Sequence, residues 1–216
     1  MLPIIKKNEL NDGRILSLEF SNPKKKNALS LSMLDELIII LSNLKYINKF
    51  NCLSFSGSHN GSFSAGADLE DIKKLILSKS ISKYHKKMSQ VILLLKKINI
   101  PTVSLLRLHC FGSGFILAIQ TDIIIADKNT KFYIPASKLK IEIPKKQLSN
   151  LKKKINNAFL KDILLSSRIF TATEAYNFNI INNLVDSSNF EKFTKEYLQL
   201  ISIKDKKINK YYLKNI

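Results

Sequence analysis

Cysteine and long apolar runs are both scarce in this chain of 216 residues. The two cysteines, Cys52 and Cys110, lie far apart in apolar surroundings, which argues against a disulfide framework or a metal site and predicts two buried small side chains. No run of eighteen apolar residues occurs, so neither a transmembrane helix nor a membrane partner is expected. The first eight residues place an apolar start before two lysines, the wrong order for a signal peptide. We expect a cytoplasmic protein, or the mature form of a protein of an organellar matrix.

Arginine is also rare, although the chain is strongly basic. Only three of its 35 basic residues are arginines, and the formal net charge is +18. Lysine, asparagine and isoleucine have codons rich in A and T, so a biased genome produces this composition. Proteins that bind nucleic acids usually use arginine for bidentate contacts with bases and phosphates. Codon bias therefore explains the charge better than a nucleic-acid surface does, and nucleic acid is not the expected partner.

Apolar residues follow strand and helix periodicities in alternation along the chain. Strands are predicted at 14–20, 52–55, 102–106, 122–126 and 183–185, and helices at 29–44, from 68, at 81–98, from 112, at 160–167 and at 172–177. Ser32 and Asp35 resemble a capping box for the first helix. Such alternation predicts one α/β domain with parallel strand pairs. We expect a core at 1–188 and a helical tail at 189–216.

Two segments carry glycine immediately before a predicted helix. Gly66 permits a backbone conformation that is closed to other residues, and the alanines beside it let a ligand approach the backbone. Asp68 is well placed to cap the helix that follows, and the segment 112–114 opens a second helix. Backbone N–H groups at a helix start lack intrahelical acceptors and can donate to an oxyanion. If two helix starts faced each other, their N–H groups would polarise one carbonyl from both sides. Glycine-rich turns also occur as plain connections between a strand and a helix.

Segment 63–69, Phe-Ser-Ala-Gly-Ala-Asp-Leu, matches the signature of the crotonase (enoyl-CoA hydratase/isomerase) superfamily residue for residue. Segments 22–30, 101–135 and 170–185 resemble further motifs of that family, in the same order. The resemblance covers residues 10 to 200. It implies a crotonase-like (ClpP/crotonase) α/β spiral of ββα units, here with a shortened C-terminal helical region, and a homo-oligomer based on a trimer.

The resemblance also implies a ligand and a site. The ligand is an acyl-CoA or another acyl thioester, with no cofactor apart from the coenzyme A of the substrate and no metal. The oxyanion hole consists of the backbone N–H groups of Ala67 and Ser113. The positions expected to contact CoA or the substrate are Lys24, Lys26, Ala28, Ala65, Gly66, Asp68, Leu69, Gly112 and Pro135. For the two lysines, an ordinary exposed side chain is an equally good interpretation.

The catalytic glutamates of the family's hydratases are absent. Their positions hold Ile116 and Ala136, which can neither activate water nor protonate a carbon atom. Standard hydratase activity is therefore not expected. Glu142, His109 and Tyr133 are candidate substitutes, and packing is the favoured interpretation of His109 and Tyr133.

Three hypotheses remain open. The first is an enzyme that acts on acyl thioesters, either with hydratase or isomerase chemistry or without the glutamates. The second is a non-catalytic protein that keeps the thioester cradle. The third is a lysine-rich relative that binds RNA. The histidines at 59, 85 and 109 are scattered along the chain and favour none of the three.

Overall fold

Six strands form the main sheet of the computed structural model, which describes residues 3–58 and 61–216. In their order across the sheet they are β1 (Ile4–Leu10), β2 (Ile15–Ser21), β3 (Cys52–Gly57), β4 (Thr102–Leu106), β6 (Ile123–Asp127) and β9 (Asn183–Val185). The pair β1–β2 is antiparallel, and the other four pairs are parallel. Parallel neighbours need long crossover connections, and helices supply them here.

A smaller sheet has three strands in the order β5 (His109–Phe111), β7 (Lys131–Tyr133) and β8 (Phe170–Thr171). It lies beside the helix start at residue 112, because β5 leads directly into that helix. Two aromatic rings anchor this sheet: Phe132 and Phe170 stack with their centroids 5.1 Å apart and are both fully buried. The small sheet therefore fixes the end of β5, from which the second glycine segment departs.

The helices occur between and after these strands. They are α1 (Leu31–Ser42), α2 (Leu44–Ile47), α3 (Leu69–Leu77), α4 (Ser82–Leu95), α5 (Gly112–Ala118), α6 (Lys145–Lys154), α7 (Asn157–Ser166), α8 (Ala172–Asn177), α9 (Phe190–Ser202) and α10 (Lys206–Asn215). None of the helices in the described part of the chain is long and apolar enough to cross a membrane.

Apolar side chains pack on both faces of the main sheet. One face contributes Leu16, Leu18 and Phe55 to the large core shared with α1, α4 and α5. The other face contributes a smaller cluster that includes Val103 and Ile125, and α9 covers it. Helix α10 buries none of its residues. A strand buried on both faces reads as a continuous apolar run, which is what Ile123–Asp127 shows.

The predicted α/β architecture is confirmed, and most predicted elements lie within a few residues of the observed ones. The capping box proposed for α1 is wrong. Ser30, not Ser32, is the N-cap, because its hydroxyl accepts a hydrogen bond from the backbone N–H of Met33 at 3.2 Å. Asp35 instead pairs with Lys87 of α4. Strands β1, β5, β7 and β8 and helices α2 and α6 were not expected. Residues Phe190–Ser202 and Lys206–Asn215 form α9 and α10. The core at 1–188 and the helical tail at 189–216 stay predictions.

Candidate functional site

The two glycine segments meet at Gly66 and Gly112. Both residues have positive φ angles, +99° and +46°. A β-carbon on Gly66 would come 3.1 Å from the carbonyl oxygen of Phe111 and 3.6 Å from the α-carbon of Gly112. A side chain at residue 66 would therefore face both a disfavoured backbone conformation and a steric conflict. Only a residue without a β-carbon allows this contact.

Backbone hydrogen bonds hold the two segments in register. The N–H of Ser64 donates to the carbonyl of His109 at 2.9 Å, and the N–H of Phe111 donates to the carbonyl of Ser64 at 2.9 Å. Gly114, at the third position of α5, lies so close to Ser64 that a β-carbon there would come 2.6 Å from the Ser64 β-carbon. The first turn of α5 is thus packed directly on the segment that precedes α3.

The amide of Ala67 is left free by the pairing of its neighbours with Leu29. The N–H of Leu29 donates to the Gly66 carbonyl at 2.7 Å, and the N–H of Asp68 donates to the Leu29 carbonyl at 3.0 Å. In a parallel bridge of this kind, the residue between the two bonded groups directs its own N–H to the opposite side. Ala67 lines the cavity described below. Its amide is therefore available to a ligand.

The amide of Ser113 is free for a different reason. Ser113 lies in the first turn of α5, where backbone N–H groups have no intrahelical acceptor. Residue Phe111, the N-cap, has no side-chain oxygen that could accept from it. Since Gly66 and Gly112 are in contact, the amides of the residues that follow them, Ala67 and Ser113, border the same space.

Tyr84 of α4 connects both sides of this arrangement. Its phenolic O–H donates to the Leu29 carbonyl at 3.2 Å, and Ser113 lies beside the phenol. Burial raises the pKa of the Tyr84 phenol far above its ordinary value, and the nearby Ser113 only partly opposes this shift. The phenol therefore stays protonated at neutral pH and holds α4 to Leu29, next to Ser113.

A mostly apolar cavity of about 110 Å³ lies in front of the two amides. Its walls come from α3, α4, α5 and the connection after β7, and they include Ile72, Met88, Ile116 and Ile134. A low-dielectric wall of this kind strengthens any hydrogen bond that the amides make to a ligand.

Most of the residues predicted for the site line this cavity. The first segment contributes Ala65, Gly66, Ala67 and Leu69. The second contributes Gly112 and Ser113, and Pro135 follows from the connection after β7. The positions of the absent glutamates, Ile116 and Ala136, also line the cavity. The sequence motifs thus identified residues that the fold brings to one place.

Four predicted positions lie outside the cavity. Lys24 and Lys26 are exposed, although the Lys26 carbonyl accepts a hydrogen bond from the Ala65 N–H at 2.9 Å. Ala28 is buried, and both of its backbone groups are occupied, by the Lys25 carbonyl at 3.0 Å and the Asn22 side-chain amide at 3.0 Å. The structure therefore gives Ala28 a role within its own loop.

Asp68, the fourth position outside the cavity, is the N-cap of α3. Its carboxylate accepts from the N–H of Glu70 at 2.9 Å, as the sequence predicted for a capping residue. It also forms an ion pair with Lys25 at 2.8 Å, and it is only 4% exposed. Sequence reasoning had chosen Lys24 and Lys26 in this loop, whereas the lysine that connects the loop to α3 is Lys25.

Sequence reasoning missed the contribution of α4 and α6. Tyr84, His85 and Met88 of α4 line the cavity, as does Gln147 of α6. The side-chain N–H₂ of Gln147 donates to Ser89 at 3.2 Å and approaches the backbone carbonyl of His85 at 3.5 Å, and so ties the two helices together. Helical periodicity indicated that Tyr84 and Met88 share a face, but it could not indicate what that face contacts.

The candidate substitutes for the glutamates have different surroundings. Glu142 lines the cavity. His109 does not, because its Nδ1 forms a hydrogen bond of 2.7 Å with the Ser62 hydroxyl and its ring packs on Phe111. Tyr133 also packs edge-on against Phe111. His59 lies outside the described residues.

His85 is a half-buried residue of the cavity wall. Burial lowers its pKa below the ordinary value of 6.5, so the imidazole is neutral at pH 7. The pKa of His109 is lowered too, by burial and then by the charge of Lys26.

Comparison with known proteins finds relatives along most of the chain. The sequence is 24% identical over 198 residues to methylmalonyl-CoA decarboxylase of Escherichia coli (strain K12), covering 91% of this chain and 75% of that one. It is 24% identical over 187 residues to the short-chain-enoyl-CoA hydratase of Clostridium acetobutylicum, covering 86% of this chain and 70% of the relative.

Solved structures show the same fold. An enoyl-CoA hydratase from Shewanella pealeana superposes with a TM-score of 0.85 at 21% identity, covering 97% of this chain and 77% of that one. A methylmalonyl-CoA decarboxylase in complex with 2-nitronate-propionyl-CoA superposes with a TM-score of 0.84 at 22% identity, covering 98% and 80%. The predicted crotonase-like fold is thereby confirmed. The family model for enoyl-CoA hydratase/isomerase matches residues 11–214, and the chain belongs to that family.

Proposed function

We propose that this protein binds an acyl-CoA, or another acyl thioester, and polarises the thioester carbonyl with the backbone amides of Ala67 and Ser113. One observation carries the proposal: Gly66 and Gly112 are in contact, and the two amides that follow them border one apolar cavity. Donors that are fixed before the ligand arrives need no reorganisation when negative charge develops on the carbonyl oxygen. A thioester oxygen is an acceptor that both amides can share.

The chemistry that suits this site is the formation of a thioester enolate. Negative charge then develops on the oxygen that the two amides contact, which is where they stabilise it most. Hydration of an enoyl thioester also needs acid–base groups beside the carbon atoms, and Ile116 and Ala136 cannot provide them. We therefore expect no hydratase activity of the standard kind. The similarity to a decarboxylase that is known in complex with a CoA thioester supports this choice of ligand.

The CoA end of the ligand is assigned to the loop that precedes α1. Lys24 and Lys26 are exposed there, and the Lys26 carbonyl is bonded to Ala65 at the edge of the cavity. A lysine at this edge can contact a phosphate as a point charge. The trimer-based homo-oligomer stays a prediction from the family resemblance, and the cytoplasmic or organellar location stays a prediction from the first residues of the sequence.

The test uses cinnamoyl-CoA, whose conjugated carbonyl absorbs at longer wavelength when hydrogen bonds polarise it. Binding is measured by calorimetry and polarisation by the absorbance of the bound thioester. Ser113→Pro removes the N–H in a helical first turn, where proline is tolerated. Ser113→Ala is the matched control, since it keeps the N–H and loses only the hydroxyl.

We expect the native protein and Ser113→Ala to bind cinnamoyl-CoA with a red shift. Ser113→Pro should lose the shift and bind about tenfold more weakly, which corresponds to one hydrogen bond. If Ser113→Pro is folded by circular dichroism and keeps both the shift and the affinity, the proposal is wrong. If the native protein binds cinnamoyl-CoA without a red shift, the result would favour a non-catalytic protein that binds the thioester without polarising it.

A further inference from the structure

Four side chains of the cavity wall carry a proton that could be exchanged with a ligand. Among the described residues that line the cavity, these are Tyr84, His85, Ser113 and Glu142. Ile116 and Ala136 have none. Any proton transfer to or from a bound acyl group must therefore involve one of these four or a water molecule.

Tyr84 and Ser113 are unsuitable as bases. The Tyr84 O–H donates to the Leu29 carbonyl at 3.2 Å. Because burial raises the pKa of the phenol, Tyr84 remains protonated. The Ser113 side chain is an aliphatic hydroxyl, which needs a neighbouring base before it can take part in proton transfer.

Glu142 and His85 differ in how firmly they are held. Glu142 is exposed and lies in the connection between β7 and α6, outside any helix or strand. His85 lies in the first turns of α4, next to the fully buried Tyr84. Its backbone carbonyl faces the Gln147 amide of α6 at 3.5 Å. A base acts efficiently only when it is positioned, and α4 positions His85.

The elements packed around His85 carry several charged groups, but burial alone lowers its pKa. On its own helix, Lys83 and Lys86 are exposed, and Lys87 is paired with Asp35 of α1. The first turn of α6 contributes Lys145 and Lys146. In α3, the Asp71 carboxylate accepts a hydrogen bond from the Leu31 N–H at 2.8 Å. Glu142 lines the same cavity as His85. Burial lowers the pKa of His85, so an unprotonated imidazole is available at neutral pH.

We propose that His85 is the catalytic base of this cavity, in place of the two absent glutamates. It removes a proton from the α-carbon of the bound acyl thioester. The electron pair of that C–H bond forms the enolate, whose oxygen accepts hydrogen bonds from Ala67 and Ser113. The imidazolium then returns a proton to the same carbon. This inference rests on the proposed function, and it places the base on α4 instead of on α5 or after β7.

The experiment follows exchange of the α-protons of butyryl-CoA in D₂O by proton NMR. The native protein should catalyse exchange, because the imidazolium exchanges its proton with solvent before returning it. His85→Gln should lower the exchange rate by a factor of about 100 or more, the usual contribution of a positioned base. Its affinity for butyryl-CoA and the red shift of cinnamoyl-CoA should be unchanged.

Two variants serve as controls. Lys86→Gln changes the exposed neighbour on the same helix and should leave exchange unchanged. Glu142→Gln removes the competing carboxylate of the cavity wall and should also retain exchange. Should His85→Gln fold poorly, His85→Asn provides the same loss of a base with a smaller amide.

Several results would overturn the proposal. The first is full exchange in folded His85→Gln or His85→Asn. The second is loss of exchange in Glu142→Gln alone. The third is absence of exchange in a native protein that binds cinnamoyl-CoA and shifts its absorbance to the red. The last result would leave the thioester cradle intact and reject only the role of His85. Absence of both binding and shift would instead reject the proposed function, and the role of His85 with it.

Discussion

The missing β-carbon of Gly66 faces the carbonyl oxygen of Phe111, which would lie only 3.1 Å from it. This is tighter than ordinary van der Waals contact, and the neighbour is backbone, which cannot move away as a flexible side chain can. The φ angle of +99° at Gly66 is a second reason why a side chain is not accommodated there. The contact between the two halves of the site thus depends on one glycine.

Gly66→Ala should therefore separate the two segments. We expect a loss of about 1–3 kcal/mol in the free energy of unfolding, from backbone strain and the steric conflict. Because the amides of Ala67 and Ser113 would no longer border the same space, cinnamoyl-CoA should bind without its red shift. Urea unfolding and absorbance measure the two effects.

The matched control is Gly13→Ala. Gly13 also has a positive φ, +74°, but a β-carbon there would meet only the Glu9 carboxylate at 3.9 Å. This variant should lose stability through the backbone conformation alone and keep the red shift. Equal loss of the shift in both variants would contradict the role assigned to the Gly66 contact.

Ile116→Glu combined with Ala136→Glu should introduce hydratase activity. Both positions line the cavity beside the two amides, so the variant would supply the acid–base pair that the native site lacks. We expect measurable loss of crotonyl-CoA absorbance with this variant and none with the native protein. Stability should fall by about 1–3 kcal/mol, since Ile116 is 7% exposed and a carboxyl there is desolvated.

The uncharged counterpart, Ile116→Gln with Ala136→Gln, has nearly the same shape and no acid–base group. It should lose similar stability without gaining activity. Hydration of crotonyl-CoA by the native protein would show that the absent glutamates are not the reason for the expected inactivity.

The capping box of α8 should make stability depend on pH in the acid range. Burial alone would raise the pKa of Glu174, but the N–H of Thr171, the Arg168 guanidinium and the Thr171 hydroxyl outweigh it and lower the pKa below 4.5. A carboxyl with a lowered folded-state pKa stabilises the fold above its unfolded-state pKa. That contribution is lost as pH falls through the folded-state pKa.

Thr171→Ala should cost about 1 kcal/mol at pH 7, since it removes a helix N-cap. Glu174→Gln should destabilise the protein at pH 7 and have a smaller effect at pH 3, which lies below the unfolded-state pKa of the carboxyl. Thermal melts of both at the two pH values provide the check. Glu196→Gln, at an exposed position of α9, should leave the melting temperature unchanged at both pH values. If Glu174→Gln lowered the melting temperature equally at both pH values, the carboxyl would not stabilise the fold in the pH-dependent way expected.

The thiols of Cys52 and Cys110 should be unreactive in the folded protein. Both are fully buried, and burial raises the pKa of each, to about 12 for Cys52. Because the thiolate is the reactive form, a disulfide reagent at pH 8 should detect no thiol in the native state and two after unfolding in guanidinium. A rapid native reaction at either residue would show that its strand opens readily.

Much of the fold follows from patterns that are local in the sequence. Alternating apolar residues predicted β2 and β4, and the helical spacing of Leu34, Leu37 and Leu41 predicted α1. Strand β1 was missed because its side chains are mostly exposed, and only its pairing with β2 makes it a strand. Helix α6 was missed because its first turn follows a proline and carries lysines, without a side-chain cap that would mark its start.

The site was predictable in part for the same reason. The two glycine segments have recognisable local sequences, and both lie where the motifs placed them. Lys25 illustrates the limit: among three consecutive lysines, only the loop conformation selects the one that reaches Asp68. His85 illustrates it further, since a single histidine in an amphipathic helix carries no sign of the cavity that it lines.

By itself, the sequence determined the α/β class, the glycine positions that require positive φ, and the family to which the motifs belong. These properties depend on the preferences of single residues and on short periodic patterns. Only the tertiary structure decided that Gly66 meets Gly112, that Tyr84 ties α4 to Leu29, and that His85 and Gln147 border the same cavity. Such contacts join residues that are tens of positions apart, and the packing of helices on a sheet, not local preference, brings them together.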